Sequence, residues 1–307
     1  MEFDLEKPFT SCFMHQESDL ISNLLASESD HLPSRGFVHC LATSESLASF
    51  RQQAISLIVQ AQFSCQCDHT VAYLAVNYMD RFMSMKQIIL QDGKPWVLTL
   101  LVITCLSLAS KMRNTNFSPS NFERQLAGDH SYMLDKWVIQ RMELLVLDAL
   151  DWRMRSITPF SFFPFFFSLL GLNNDPLEPA LKNRAKEVVF KAQNETNLLE
   201  FKPSTVAASA ILVAHSELLP LDSLSSKRSI LSCEYVKEDK LEVCLNTLQG
   251  MMEMEGDESV LDMVSNGLLG GYHSICCTDE KPDNDTNSIN SMVSHDTGLP
   301  EKRRKLN

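Results

Sequence analysis

From about residue 44 to about residue 252, apolar residues recur at helical spacing, and the segments are separated by Ser, Asp, Thr and Pro rather than by glycine-rich turns. A period near 3.6 places those residues on one face of a helix and is incompatible with alternating strands. With only 10 glycines in 307 residues, the chain is poor in the residue that most tight positive-φ turns require. Both observations point to an all-α fold.

Ser44 can cap a helix running to about Gln62. Asp68 can cap the next, with Val71, Leu74, Ala75, Tyr78 and Phe82 aligned. Pro95 suits the first turn of a third helix, where its missing N–H costs nothing; that helix ends near Met112. Ser118-Pro119 repeats the cap-then-proline form and starts a short fourth helix. A fifth runs from about Leu134 to Leu150.

A joint at 151–158 leads to a second group. Thr158-Pro159 opens a helix stopped by Gly171, and Asp175-Pro176 opens one running to about Leu199. Pro203 begins a third, with Val206, Ala207, Ala210, Ile211 and Ala214 aligned. A short helix over 222–231 and a last one from Glu238 to Met252 complete the group. The expected architecture is two consecutive five-helix bundles, over 44–152 and 153–252. Residues 1–43, rich in Ser, Asp and Glu, are expected to be extended or mobile. Residues 253–300 carry ten acidic side chains against one Lys, and Lys302-Arg303-Arg304-Lys305 follows. Residues 253–307 therefore read as a disordered acidic tail with a basic end.

Several functions are disfavoured. A net charge of −12 opposes counterion displacement from phosphates, so no nucleic acid is expected as a partner. The longest apolar run, Trp96 to Ala109, is shorter than the ~20 residues needed to span a bilayer. The nine cysteines are odd in number and scattered, and the start Met1-Glu2-Phe3-Asp4-Leu5-Glu6 is acidic where a secretory leader would be basic. Reduced thiols in an intracellular compartment are expected. Cys65-x-Cys67-x-His69 lacks a second matched pair for zinc and reads as two thiols beside a helix-start His, so no metal and no cofactor are expected. No phosphate loop, zinc-protease motif or nucleophile elbow occurs, which disfavours an enzyme. The Phe cluster at 160, 162, 163, 165, 166 and 167 reads as a helix buried on most sides.

Three segments carry charged residues in suggestive places. Asp80 ends the apolar segment Tyr73 to Phe82, and Arg51, one helix earlier, can pair with it. Lys111 ends the buried segment from Cys105; alone it would be a cation facing its helix dipole. Lys136, Gln140 and Glu143 fall on one polar face of the fifth helix.

Together the runs 71–84, 105–112 and 140–162 resemble the cyclin box of plant D-type cyclins, and the likeness covers roughly residues 44–250. The Met1-Glu2-Phe3 start and the Phe201-Lys202-Pro203-Ser204 run resemble the divergent sixth plant subgroup. The resemblance implies two cyclin-type bundles and a non-catalytic subunit that binds a cyclin-dependent kinase beside its mobile C helix and activates it, in control of the G1/S transition and cell division. It assigns Lys111 and Glu143 to the kinase contact, and Arg51 and Asp80 to a structural ion pair of the box.

The chain departs from the family in places. Arg113-Asn114 follow the box Lys where acidic residues are usual, and Ser56-Leu57 replace an Asp-Trp pair. Gln53, Ala54, Leu57 and Thr99 occupy the positions of the substrate-docking groove, which is expected to be degenerate. A Leu-x-Cys-x-Glu motif for capturing the retinoblastoma-related protein is missing, since Leu231-Ser232-Cys233-Glu234-Tyr235 ends on Tyr. That protein is expected as a substrate of the bound kinase rather than as a directly captured partner. The run Lys302 to Lys305 is a candidate nuclear import signal, placing the chain in the nucleus and cytoplasm. Two alternatives stand beside this reading. One is a transcription-factor-like use of the fold. The other is an adaptor that binds a kinase weakly without efficient activation.

Overall fold

The computed structural model describes residues 14–265 except 35, 66, 87–94, 127–133 and 173–175. Among the described residues there is no strand. The helices are α1 (Met14–Ser27), α2 (Phe37–Thr43), α3 (Glu45–Cys65), α4 (His69–Met85), α5 (Pro95–Met112) and α6 (Pro119–Leu126). They continue as α7 (Lys136–Ala149), α8 (Phe163–Leu169), α9 (Glu178–Ala192), α10 (Pro203–Leu218), α11 (Ser223–Leu231) and α12 (Glu238–Ser265).

Five helices, α3 to α7, form the first bundle, and α8 to α12 form the second. In the first, α4 and α5 are central. From Leu100 to Ala109 every residue of α5 is buried, Thr104 and Ser107 included. A helix apolar on nearly all sides is stable only when enclosed, and α2, α3 and α7 contribute to that enclosure. The second bundle is built the same way around α10, where Val206 to Ala214 are all buried. Phe160, Phe163 and Phe167 stack edge-on at 5.6 and 6.0 Å inside it. The phenylalanine cluster is therefore core, with Phe165 half-buried at its edge.

The element ends differ from expectation in three places. The helix opened by Thr158-Pro159 begins as a 3-10 turn, Pro159–Phe162, before becoming α8; it stops at Gly171, whose φ is +70°. The helix expected to reach Leu199 ends at Ala192, and a separate 3-10 turn fills Thr196–Glu200. The last helix continues past Met252 to Ser265.

The expectation of an extended or mobile segment over 1–43 is corrected for residues 14–43. They form α1, a 3-10 turn (Glu28–His31) and α2. Ile21 and Leu24 of α1 are buried in the second core, whereas Phe37 and Leu41 of α2 are buried in the first. Between them Glu28, fully buried, accepts from Ser204 N at 2.9 Å and Ser204 Oγ at 3.1 Å. Lys202 Nζ stands 3.3 Å from the same carboxylate. A carboxylate from the start of the chain thus caps the positive end of α10. Residues 1–13 and 266–307, with the candidate import signal, lie outside the described residues.

Candidate functional site

Two charged constellations distinguish the molecule, and they sit in opposite environments. The first lies where α3, α4 and α9 meet. Arg51 and Asp80 are each 1 % exposed and form a bidentate pair, Nε to Oδ1 at 2.8 Å and Nη2 to Oδ2 at 2.9 Å. Nη2 also donates to Gln193 O at 2.7 Å, at the C-terminal end of α9. Gln193 Nε2 returns a bond to Tyr73 O in α4 at 3.1 Å. The guanidinium therefore neutralises a carboxylate in one bundle and satisfies an orphan helix carbonyl of the other. Below it, Tyr78 OH donates to Met154 O, and Arg81 Nη1 donates to Arg153 O at 2.9 Å and to Ser156 Oγ at 3.1 Å. These bonds fix the passage from α7 into the second bundle.

The second constellation lies at the end of α5 against α7. Both oxygens of Glu143 accept from Lys111 Nζ, at 2.6 and 2.7 Å, and Oε1 also accepts from Ser107 Oγ at 2.6 Å. The Lys111 side chain is 61 % exposed and that of Glu143 only 11 %. Glu143 thus leaves the solvated face of α7 that Lys136 and Gln140 occupy and turns inward to α5. Lys111, though in the last turn of α5, points its charge at this carboxylate. Two of its three N–H groups are used, so one remains for an acceptor on another molecule.

Beside this pair opens a groove of about 670 Å³, with Leu108, Met112, Leu147 and Met154 on its apolar wall and Lys111, Arg153 and Arg155 among its cations. Trp152, a residue 64 % exposed, forms its edge. Asp151 and Trp152 have φ of +51° and +59°. Consecutive left-handed non-glycine residues cost roughly 1–2 kcal/mol each. A 2.9 Å bond from Trp152 N to Leu147 O closes this reversal and turns the indole toward the groove. His31, from the turn after α1, lines the same hollow. Burial first, then the nearby Arg81 and Arg153 charges, lower its pKa to about 4. Sequence reasoning assigned no role to Trp152 or His31. The Asp-Trp dipeptide after α7 was the available signal for the first, because Asp tolerates left-handed backbone; nothing local marked the second.

Of the positions matched to a substrate-docking groove, Ala54 is sealed in the first core and Leu57 is half-buried against it. Thr99 is half-buried on the neighbouring α5. Gln53 is exposed and donates to Ser49 Oγ at 3.0 Å. Cys65 and Cys67 are half-buried and form no disulfide. Burial, and then the neighbouring Cys65, raises the Cys67 thiol to about 11. His69 contacts Gln62 and packs on Phe190 at 5.6 Å. Among the described residues no group of three or more His, Cys, Asp or Glu side chains could hold a metal, and no helix is long and apolar enough to cross a membrane.

Comparison with known proteins gives this geometry a family context. The family model for the cyclin N-terminal domain matches residues 19–155, and that for the cyclin C-terminal domain matches 157–264. The chain is 37 % identical over 290 residues to a cyclin-D6-1 of Arabidopsis thaliana, covering 91 % of this chain and 93 % of that protein. It is 37 % identical over 250 residues to cyclin-D6-1 of Oryza sativa subsp. japonica, covering 79 % and 72 %. Cyclin-D1-1 of Arabidopsis thaliana is 34 % identical over 238 residues, covering 76 % and 68 %. Among solved structures, the X-ray structure of a viral cyclin from herpesvirus saimiri superposes with a TM-score of 0.49 at 18 % identity, over 66 % of this chain and 86 % of that one.

Proposed function

The chain belongs to the cyclin family, among its plant D-type members, and from that premise we propose that it binds and activates a cyclin-dependent kinase at the G1/S transition. Cyclins are regulatory subunits rather than enzymes, so the work is done by docking. The observation that carries the reading is the Lys111–Glu143 pair, held at 2.6 and 2.7 Å on the rim of an apolar groove. Glu143 is fixed by Ser107 as well and so holds the lysine in place without a partner. The ammonium is then presented ready to grip a kinase backbone carbonyl through a charge-assisted bond.

The groove takes the apolar face of the kinase's C helix. Kinase activity requires that helix to bring its own Glu to the ATP-binding Lys, so a subunit that binds the helix-in state shifts the kinase toward activity. The retinoblastoma-related protein is a fitting substrate of the bound kinase, reached without a Leu-x-Cys-x-Glu motif. Residence in nucleus and cytoplasm belongs to the same proposal and rests on Lys302 to Lys305.

The test is the pair Lys111→Ala with Glu143→Ala in one chain. The expected result is loss of kinase co-purification, a loss of about 2–5 kcal/mol of interaction, with helical content by circular dichroism unchanged. Undiminished recovery of active kinase with the double variant would remove these two residues from the interface.

A further inference from the structure

Two Ser-Pro or Thr-Pro dipeptides occur in the sequence, Ser118-Pro119 and Thr158-Pro159. Their environments are opposite. Thr158 is 1 % exposed at the joint between the bundles. Ser118 is exposed and ends residues 115–118, which have no helical structure and connect α5 to α6. Pro119 biases Ser118 away from helical backbone, so its hydroxyl stands on an extended, accessible stretch followed by a tertiary amide. A protein kinase that selects proline after the acceptor residue requires that arrangement.

A separate observation concerns the place where a phosphate would stand. Asn121 N and Phe122 N donate to Ser118 O at 3.1 and 3.2 Å, which sets Ser118 at the start of α6. Arg124 folds back over this turn. Its Nε donates to Ser120 O at 3.2 Å and its Nη2 to Asn121 Oδ1. A guanidinium thus already lies beside the first turn of the helix that follows Ser118, and a phosphoserine near an arginine at a helix start can order that start.

We propose that Ser118 is a phosphorylation site for a proline-directed protein kinase, and that its phosphate fastens the first turn of α6 through Arg124. Ser118 Oγ attacks the γ-phosphorus of ATP. The Oγ–P bond forms as the bond from that phosphorus to the bridging oxygen breaks. The hydroxyl proton passes to the kinase's catalytic carboxylate, and ADP leaves. Phe117 is packed against the first core and meets Phe122 at 6.1 Å, which anchors the chain on the N-terminal side of the exposed serine. The modification adds a charge of about −1.5 to −2 to the connection leaving the Lys111 helix. There it opposes the positive charge of Arg113.

The purified full chain is incubated with ATP and a proline-directed kinase that needs no cyclin, then mapped by mass spectrometry. The expected product carries one phosphoryl group on Ser118 and none on Thr158, and Ser118→Ala carries neither. Amide exchange at Ser120 and Asn121 then slows several-fold relative to the unmodified chain, and Arg124→Ala loses that protection while still accepting the phosphoryl group. The site is overturned if Ser118 is modified only in the urea-unfolded chain, if it is modified in neither state, or if Thr158 is labelled equally in the folded one. Protection that survives Arg124→Ala overturns the fastening role. The Lys111→Ala, Glu143→Ala chain is labelled like the wild type, so failure here is separate from failure of the kinase-docking proposal.

Discussion

The joint around Arg51 and the rim around Lys111 each consist of one cation, one carboxylate and a third hydrogen-bonding group. At the joint, both charges are 1 % exposed and the third group is a backbone carbonyl 142 positions away in the chain. At the rim, the carboxylate is buried but the cation is 61 % exposed, and the third group is a hydroxyl one turn earlier in the same helix as that cation. The first arrangement is sealed from solvent and ties the two halves of the protein together. The second keeps one charge in water and one donor unspent. The same pair of charge types is thus a structural fastener or a docking point according to how much solvent reaches it.

Breaking the joint is expected to have the largest effect. Asp80→Ala leaves the Arg51 charge buried without its carboxylate, and a cost of about 3–5 kcal/mol in stability is expected by urea unfolding. Arg51→Met combined with Asp80→Leu removes both charges together and should recover much of that loss. An Asp80→Ala cost below about 1 kcal/mol would show that water reaches the joint after all.

The groove beside the rim can be probed through His31. Its pKa is about 4 in the folded chain against an ordinary 6.5. Proton uptake therefore favours the unfolded chain. The stability contributed by the neutral ring is complete above about pH 6.5 and is lost as pH falls toward 4. The difference in stability between wild type and His31→Gln should shrink across that window and stay constant above it. A difference that does not change from pH 7 to 4.5 would mean that the groove floor is as solvated as its rim.

Lys111→Ala is expected to have the smallest effect on the fold, between 0 and about 1 kcal/mol, because the lysine is largely solvated and exposed pairs contribute little. Set against its expected effect on kinase recovery, that near-neutrality separates docking from folding. A loss comparable to that of Asp80→Ala would place both pairs in the structural class.

What was legible in the sequence follows from the range of the interactions. The start and end of α5 could be read because Pro95 and the apolar run to Ala109 act within one helix. The Arg51–Asp80 and Lys111–Glu143 pairs were reachable through motif spacing, and the structure brings both together. The third partners were not. Gln193 offers a backbone carbonyl, which every residue carries, and so leaves no trace in side-chain pattern. Residues 14–43 were misread because polar composition outweighed the helical spacing of Ile21, Leu24 and Leu25, two of which are buried in a bundle made much later in the chain. Phe201-Lys202-Pro203-Ser204 was noticed as a family resemblance; its physical use became visible only with Glu28 in place.

That cap has a consequence for how the protein is made. Glu28 and Ser204 are 176 positions apart. On a ribosome, Glu28 emerges long before the helix end it serves exists, since chains grow at about 5–20 residues per second. The first core can close around α2 to α7 while α1 and the Glu28 turn wait, their apolar and acidic groups unpartnered. The first of the described helices to be synthesised is therefore among the last to settle, because its partners exist only once the second bundle has formed.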